Sequence, residues 1–355
     1  MQIMRAVITR EKVNWLKRKH IISSLFLIVL AVITAWIIVK NNDMGAVASA
    51  IEQMKIGWLV LCIVIALLFV VMEGVIIWYL LRPLNENAQL KHCISWSFIG
   101  NFFSGITPSA TGGQPAQLYY MKHRGIKISE GTPVLMTVAV LYKFVLVIIG
   151  IAIFLFWNKS LCQYFGGYLW VYCLGLSLNI IVVSVLIFVM VSPDCSKKVV
   201  MGIEKLLLRI KILKHSEQRT AGLIRAVAEY QEVVTCFKAN PLKMGIAVGL
   251  TFFQRICAFC MTYLVYCGMG MSGTGPLTVV LLQACIIIAS DMLPLPGSVG
   301  VAEMLYSIVF AGVFSGSFLT ASMCITRGIS FYLVLLISLA VLIFNQLRLK
   351  DVTNE

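Results

Sequence analysis

Between two apolar segments the chain reads Ile106-Thr-Pro-Ser-Ala-Thr-Gly-Gly-Gln-Pro-Ala-Gln-Leu-Tyr-Tyr120. Two prolines and two adjacent glycines interrupt a regular helix and free backbone N–H and C=O groups. In hydrocarbon these groups have no water to bind, so irregular backbone at membrane depth survives only where it is buried in protein or lines a wet cavity. The stretch therefore predicts a helix break beside a polar cavity.

A second break, Leu293-Pro-Leu-Pro-Gly-Ser-Val-Gly300, lies in the other half of the chain. Paired Pro/Gly interruptions at corresponding positions of two halves are typical of the substrate site of a transporter. We therefore expect the two breaks to meet at one site.

The composition is that of a membrane protein. Of 355 residues, 60% are hydrophobic and only 12% are charged, and the mean hydropathy is +0.92. These values indicate a polytopic α-helical membrane protein. The net charge of +14 is carried mostly by segments between apolar runs. That distribution follows the positive-inside rule and does not indicate direct nucleic-acid binding.

No metal, redox or nucleotide site is predicted. The eleven cysteines are scattered, and Cys257-x-x-Cys260 stands in an apolar segment without partner His or Cys pairs. The four histidines do not stand at ligand spacings. The chain has no Gly-x-x-x-x-Gly-Lys-Ser/Thr loop. We expect no cofactor and no catalytic residue.

The apolar segments predict an all-α fold with about six transmembrane helices and two re-entrant helical hairpins. A full span needs about 20 residues, and six segments meet that length: roughly 21–40, 56–82, 131–157, 168–191, 243–268 and 318–346. Two shorter pairs flank the breaks, 93–107 with 112–121 and 276–292 with 299–314. They are interpreted as hairpins that enter and leave on one side. Full spanning is the alternative, and it leaves the orientation unchanged.

The charge distribution predicts the orientation. All strongly basic segments fall on one side, so both termini are expected in the cytoplasm. One membrane domain covers 1–355, with repeat one at about 20–160 and repeat two at about 168–347. Each half has three spans, and an odd number inverts the second repeat relative to the first.

The connection 194–240 is interpreted as a basic amphipathic helix on the anionic inner leaflet. Lysines and arginines surround its apolar face, which is formed by Val199, Ile203, Leu206, Leu207 and Ile210. A solvated helix packed on the cytoplasmic loops is the alternative.

Six charged residues fall inside apolar runs: Glu73, Lys143, Arg255, Asp291, Glu303 and Arg327. Charges at that depth cost several kcal/mol unless they are paired or hydrated, so each is a functional candidate. Structural ion pairs between helices are the alternative. Glu303 and Asp291 flank the second break, which favours a role at the cavity.

The first break supplies hydrogen-bond donors from the Thr111 hydroxyl, two glycine N–H groups and two glutamine amides. A helix that begins near Gln114 directs its N-terminus towards the cavity, where an anion is favoured. With the three basic residues this predicts an electropositive chamber for a phosphate headgroup. The candidate binding residues are Asn101, Thr107, Thr111, Gly112, Gly113, Gln114, Gln117, Lys143, Arg255, Asp291, Gly297, Glu303 and Arg327.

Three features resemble the membrane domain of the lysylphosphatidylglycerol synthase/flippase family, over about residues 15–347. They are the polar first hairpin from Asn101 to Pro115, the motif Pro294-Leu-Pro-Gly-Ser-Val-Gly-Val-Ala-Glu303, and Arg327 early in the last span. Ser298 replaces the usual second glycine of the motif but stays small. Lys143 lies in a span where many members have an acidic residue paired with arginine.

The resemblance implies a lipid translocase of a bacterial cytoplasmic membrane. This would be a flippase that moves an anionic or aminoacylated phospholipid such as (lysyl-)phosphatidylglycerol and is linked to antibiotic resistance. In two-part members a soluble domain transfers the amino acid from tRNA. The chain ends at Glu355, soon after the last span, so a phosphatidylglycerol lysyltransferase activity is not expected from it alone. Two alternatives stay open. One is a membrane subunit that supports a soluble aminoacyltransferase or forms a homo-oligomer, and the other is an ion-coupled carrier of a small solute.

The orientation predicts which loops are reachable from outside the cell. In a background without the native cysteines, a cysteine placed within 272–275 should react with an impermeant maleimide in intact cells. One placed within 194–240 should react only after the cytoplasmic face is opened. Labelling of the 194–240 position in intact cells contradicts both the charge rule and the inverted repeat.

Overall fold

The computed structural model describes residues 44–86, 88–192, 194–195, 197–198, 201–202, 204, 217–293 and 295–354. The expected first span at 21–40 lies outside these ranges. So do the five residues that define the apolar face of the 194–240 connection.

The described chain is helical, and no strand occurs in it. The helices in chain order are α1 (Met44–Glu52), α2 (Ile56–Leu81), α3 (Leu90–Ile106), α4 (Gly113–His123), α5 (Ile128–Phe156), α6 (Asn158–Phe165), α7 (Leu169–Val191), α8 (Glu217–Ala239), α9 (Pro241–Gly268), α10 (Pro276–Ser290), α11 (Val301–Val309), α12 (Ser317–Arg327) and α13 (Val334–Asn354).

Five helical segments of the described chain are long and apolar enough to cross a membrane. They contain α2, α5, α7, α9 and the bent unit in which a π-helical turn, Gly328–Leu333, joins α12 to α13. The bounds of α2, α5, α7 and α9 and of the Ser317–Leu347 segment agree with the predicted spans to within about one helical turn. The segment Asn158–Val191 begins earlier than the predicted 168–191, because it includes α6 as well as α7. The predicted class, an all-α polytopic membrane protein, is therefore confirmed.

Each break forms a tight turn between two shorter helices. The turn Pro108–Ala110 separates α3 from α4, and Pro296–Ser298 lies between α10 and α11. Gly297 adopts a φ of +58°, and a Cβ atom there would lie 2.1 Å from the Phe331 ring. Glycine adopts this left-handed backbone conformation without strain, and its lack of a side chain allows the close contact with Phe331. The two turns pack against each other.

Small residues let the helices approach closely, as is common in membrane bundles. A Cβ on Gly74 of α2 would lie 2.5 Å from the Ile94 Cα of α3. A Cβ on Gly175 of α7 would lie 2.5 Å from the Ile288 carbonyl oxygen and 2.6 Å from the Ala289 Cα, both in α10. The neighbours in both cases are backbone atoms, which cannot rotate away as a side chain can.

Gly175→Ala should therefore lower stability in detergent by about 1–3 kcal/mol, the usual cost of overpacking. Gly249→Ala is the matched control, because nothing lies within 4 Å of its added methyl group on α9. The control should be neutral or slightly stabilising, since alanine favours helix. Equal melting temperatures for the two purified variants would contradict the close packing of α7 on α10.

Candidate binding chamber

Three adjoining cavities lie around the two breaks. The first cavity, about 410 Å³, lies against the first break and is bordered by α2, α3, α4, α5, α7 and α9. The second cavity, about 290 Å³, lies against the second break and is bordered by α2, α5, α9, α10, α11 and α12. The third, about 200 Å³, is lined by residues from both breaks. Asp291 borders all three cavities.

The structure brings most of the predicted residues to these cavities. The first cavity is lined by Asn101, Thr111, Gly113, Gln114, Gln117, Lys143, Arg255 and Asp291. The second is lined by Gly297 and Arg327, together again with Arg255 and Asp291. Thr107, Gly112 and Glu303 border none of the three.

The three residues outside the cavities hold the breaks in shape. The Thr107 hydroxyl donates to the Phe103 carbonyl at 2.7 Å and accepts from the Gly112 N–H at 2.9 Å. This Gly112 donor is therefore engaged within the turn. Glu303 caps α11, because its carboxylate accepts from the Gly300 N–H at 2.7 Å.

Glu303 also forms a buried ion pair with Arg327. The Arg327 Nε donates to the Glu303 carboxylate at 2.8 Å, and a terminal guanidinium nitrogen donates to the Gly297 carbonyl at 2.9 Å. The guanidinium carbon also lies 4.8 Å from the centre of the Phe331 ring. Arg327 thus connects α12 to α11 and to the second break. Two of its three guanidinium nitrogens donate hydrogen bonds there.

A second buried ion pair joins the two halves of the chain. The Lys143 ammonium of α5 contacts the carboxylate of Asp291, which follows α10 directly. The Tyr142 hydroxyl donates to the other oxygen of the same carboxylate. Asp291 therefore has both oxygens occupied at the point where the second break begins.

Arg255 differs from the other two basic residues. Its side chain is packed between the rings of Phe69 and Tyr142, whose centres lie 4.5 and 4.0 Å from the guanidinium carbon. Only 8% of the residue is exposed. One terminal nitrogen donates to the Gln254 side chain at 3.2 Å, and Nε has no hydrogen-bond partner among the described residues. No ion pair of the described chain includes Arg255.

Glu73 of α2 is the acidic residue that shares the first cavity with Arg255. Its carboxylate accepts one hydrogen bond, from the Gln117 side-chain amide at 2.8 Å. Within the described ranges no ion pair includes Glu73. Each charge is close enough to feel the field of the other.

Sequence reasoning missed Tyr142 and Gln254. Tyr142 contacts both Asp291 and Arg255, and the Gln254 amide donates to the Phe69 carbonyl at 2.8 Å while its oxygen accepts from Arg255. Each directly precedes a charged residue in an apolar helix, which is the signal that could have found both. Hydroxyl groups of the second cavity were also missed, namely Ser290, Ser298, Tyr306, Thr326 and Ser330.

These features define a polytopic helical membrane protein with a polar, charge-lined chamber between two helix breaks. The family model described as the lysylphosphatidylglycerol synthase TM region matches residues 21–338, so the chain belongs to this family. The comparison with curated proteins gave no match.

The Arg327–Glu303 pair should act as a structural unit. Removing one partner of a buried pair leaves the other uncompensated and costs about 3–5 kcal/mol. Glu303→Gln keeps an oxygen for the Gly300 N–H and so tests the ion pair alone. We expect Glu303→Gln and Arg327→Ala each to lower the melting temperature in detergent, and the double variant to lose less than the sum. Arg327→Lys should retain only part of the wild-type stability, because lysine lacks the planar guanidinium group that donates to two acceptors at once.

Strictly additive losses would show that the two side chains do not stabilise the fold as a pair. A stable Arg327→Ala protein would show that the fold does not need the pair.

Proposed function

We propose that this protein is a lipid translocase that moves the headgroup of an anionic or aminoacylated phospholipid through the chamber between its two breaks. The observation that carries the proposal is Arg255, a buried guanidinium without an acidic partner in the described chain that borders both the first and the second cavity. Family membership supports a role in handling lysylphosphatidylglycerol or related lipids.

A phosphate matches the unused chemistry of Arg255. Guanidinium groups bind phosphate oxygens by charge-assisted hydrogen bonds, and Nε is an available donor. The residue lies in the wall between two cavities, so an anion held there can have polar substituents on either side. The N-terminal residues Gly113 and Gln114 of α4 border the same cavity, where the helix dipole also favours an anion.

The remaining lining suits the polar part of a headgroup. Side-chain amides from Asn101, Gln114 and Gln117 and the Thr111 hydroxyl replace water around it. The first two cavities are of the size typical for small-molecule sites. In this proposal the acyl chains stay in the lipid while the headgroup crosses.

An aminoacylated headgroup also brings an ammonium group. Asp291 and Glu303 are already paired with Lys143 and Arg327. Glu73 is the acid of the first cavity that is available to receive an amine. The proposal therefore assigns phosphate to Arg255 and the amine of an aminoacylated lipid to Glu73.

Orientation and symmetry belong to the same proposal. Two inverted repeats with both termini in the cytoplasm of a bacterial cell would present the two breaks to the chamber from opposite sides. The contact between the turns Pro108–Ala110 and Pro296–Ser298 supports this arrangement. A soluble aminoacyltransferase on another chain could supply an aminoacylated lipid.

Arg255→Gln should slow the movement of fluorescent phosphatidylglycerol in reconstituted vesicles by about 10- to 100-fold, since a hydrogen bond to a charged group contributes about 1.5–3 kcal/mol. Its melting temperature should fall less than that of Arg327→Ala, because no ion pair of the described chain is broken. Arg255→Lys should be intermediate. Lys159→Gln is the control, because Lys159 is an exposed basic residue outside the cavities.

A stable Arg255→Gln protein with the normal rate would overturn the assignment of phosphate to Arg255. Mass spectrometry of co-purified lipids tests the ligand class directly. Purified protein that carries no phospholipid but binds a small anion at Arg255 would favour a solute carrier.

A further inference from the structure

We infer that binding of an anionic headgroup at Arg255 is coupled to the uptake of one proton by Glu73. The first cavity would then hold a proton-binding site as well as an anion site. This inference rests on the proposed function, because it takes Arg255 as the place where the headgroup phosphate binds.

The charge balance of the chamber is the starting point. The six charged residues inside the apolar runs comprise three acidic and three basic side chains: Glu73, Asp291, Glu303, Lys143, Arg255 and Arg327. Two of the acidic and two of the basic side chains form the ion pairs Lys143–Asp291 and Arg327–Glu303. Glu73 and Arg255 are left in the first cavity without direct contact in an ion pair, although each feels the field of the other. Without a ligand their two charges sum to zero.

An anion on Arg255 removes this balance. The guanidinium charge is then neutralised by the phosphate, and Glu73 is left as a second negative charge beside it. Two like charges in a site of low dielectric cannot both ionise easily, so one of them takes up a proton. Glu73 is suited to this role, because only one hydrogen bond, from the neutral Gln117 amide, supports its ionised form within the described chain.

The other titratable or charged groups that border the first cavity are already engaged. Lys143 and Tyr142 of α5 both donate to Asp291, and Asp291 has both of its oxygens occupied. Arg327 borders the second cavity and is paired with Glu303. The elements packed around the first cavity therefore leave Glu73 as the carboxylate that can change its protonation without breaking an ion pair.

The step is a simple proton transfer. One proton from the aqueous phase bonds to a Glu73 carboxylate oxygen, the carboxylate becomes a neutral acid, and nothing is oxidised or reduced. A headgroup with its own ammonium group can take the place of that proton at Glu73. Proton uptake is thus expected for phosphatidylglycerol and not for a zwitterionic headgroup such as phosphatidylethanolamine.

Isothermal titration calorimetry with dihexanoyl phosphatidylglycerol, in buffers of different ionisation enthalpy, measures this uptake in the purified full chain. We expect close to one proton per bound lipid above neutral pH. The dissociation constant should rise about tenfold per pH unit, since a proton taken up on binding makes affinity fall as pH rises. Dihexanoyl phosphatidylethanolamine should bind with little proton uptake.

Substitutions at Glu73 test whether this residue is the group that takes up the proton. Glu73→Gln should abolish the proton uptake and the pH dependence of binding, Glu73→Asp should keep both, and Glu52→Gln, at an exposed carboxyl of α1, should match the wild type. If Glu73→Gln does not fold, the wild-type and Glu73→Asp titrations still decide whether a proton is taken up.

Arg255-dependent binding of phosphatidylglycerol without proton uptake overturns the inference alone. Proton uptake that persists in a folded Glu73→Gln protein overturns the assignment to Glu73. Phosphatidylglycerol binding that is absent, or equal in Arg255→Gln and wild type, overturns the proposed function and this inference with it.

Discussion

The polar centre of the protein depends on the carboxylate of Asp291. It receives the Lys143 ammonium and the Tyr142 hydroxyl from α5, and it follows α10 directly at the start of the second break. A charge left unpaired at membrane depth costs several kcal/mol. The pair therefore restricts how α5 can lie against the second half of the chain. Since Asp291 borders all three cavities, it also forms part of the wall between them.

The same energetic constraint separates two kinds of buried charge. Arg327 and Glu303 satisfy each other and fix the second break through the Gly297 carbonyl and the Gly300 N–H. Arg255 is instead packed between two aromatic rings. Its charge has no acidic partner in the described chain. A residue of the first kind maintains the shape of the chamber, and one of the second kind is available to a ligand. The proposed headgroup site and its linked proton both follow from this difference.

Backbone geometry makes the chamber possible. The breaks place turns between short helices, and glycine allows close contact where a side chain would collide. A Cβ on Gly113 would lie 2.1 Å from the Ser104 hydroxyl, and one on Gly100 would lie 2.3 Å from the Gln117 amide nitrogen. These contacts hold α3 against α4 and keep the Gln117 amide beside Glu73. The packing of the first hairpin and the electrostatics of the cavity are thus connected.

Hydropathy and Pro/Gly content predicted the five spans that the described residues contain and both breaks, because helix length and helix interruption are local properties of the sequence. The same reasoning found the six charged residues of the apolar runs, since a charged residue in an apolar run is visible without a structure. It could not tell that Arg327 has an acidic partner while Arg255 has none among the described residues, because both are arginines in apolar helices. That difference depends on which side chains meet across helices: Lys143 and Asp291 are 148 residues apart in the chain. Only the tertiary packing decides which charges neutralise each other and which remain for a ligand.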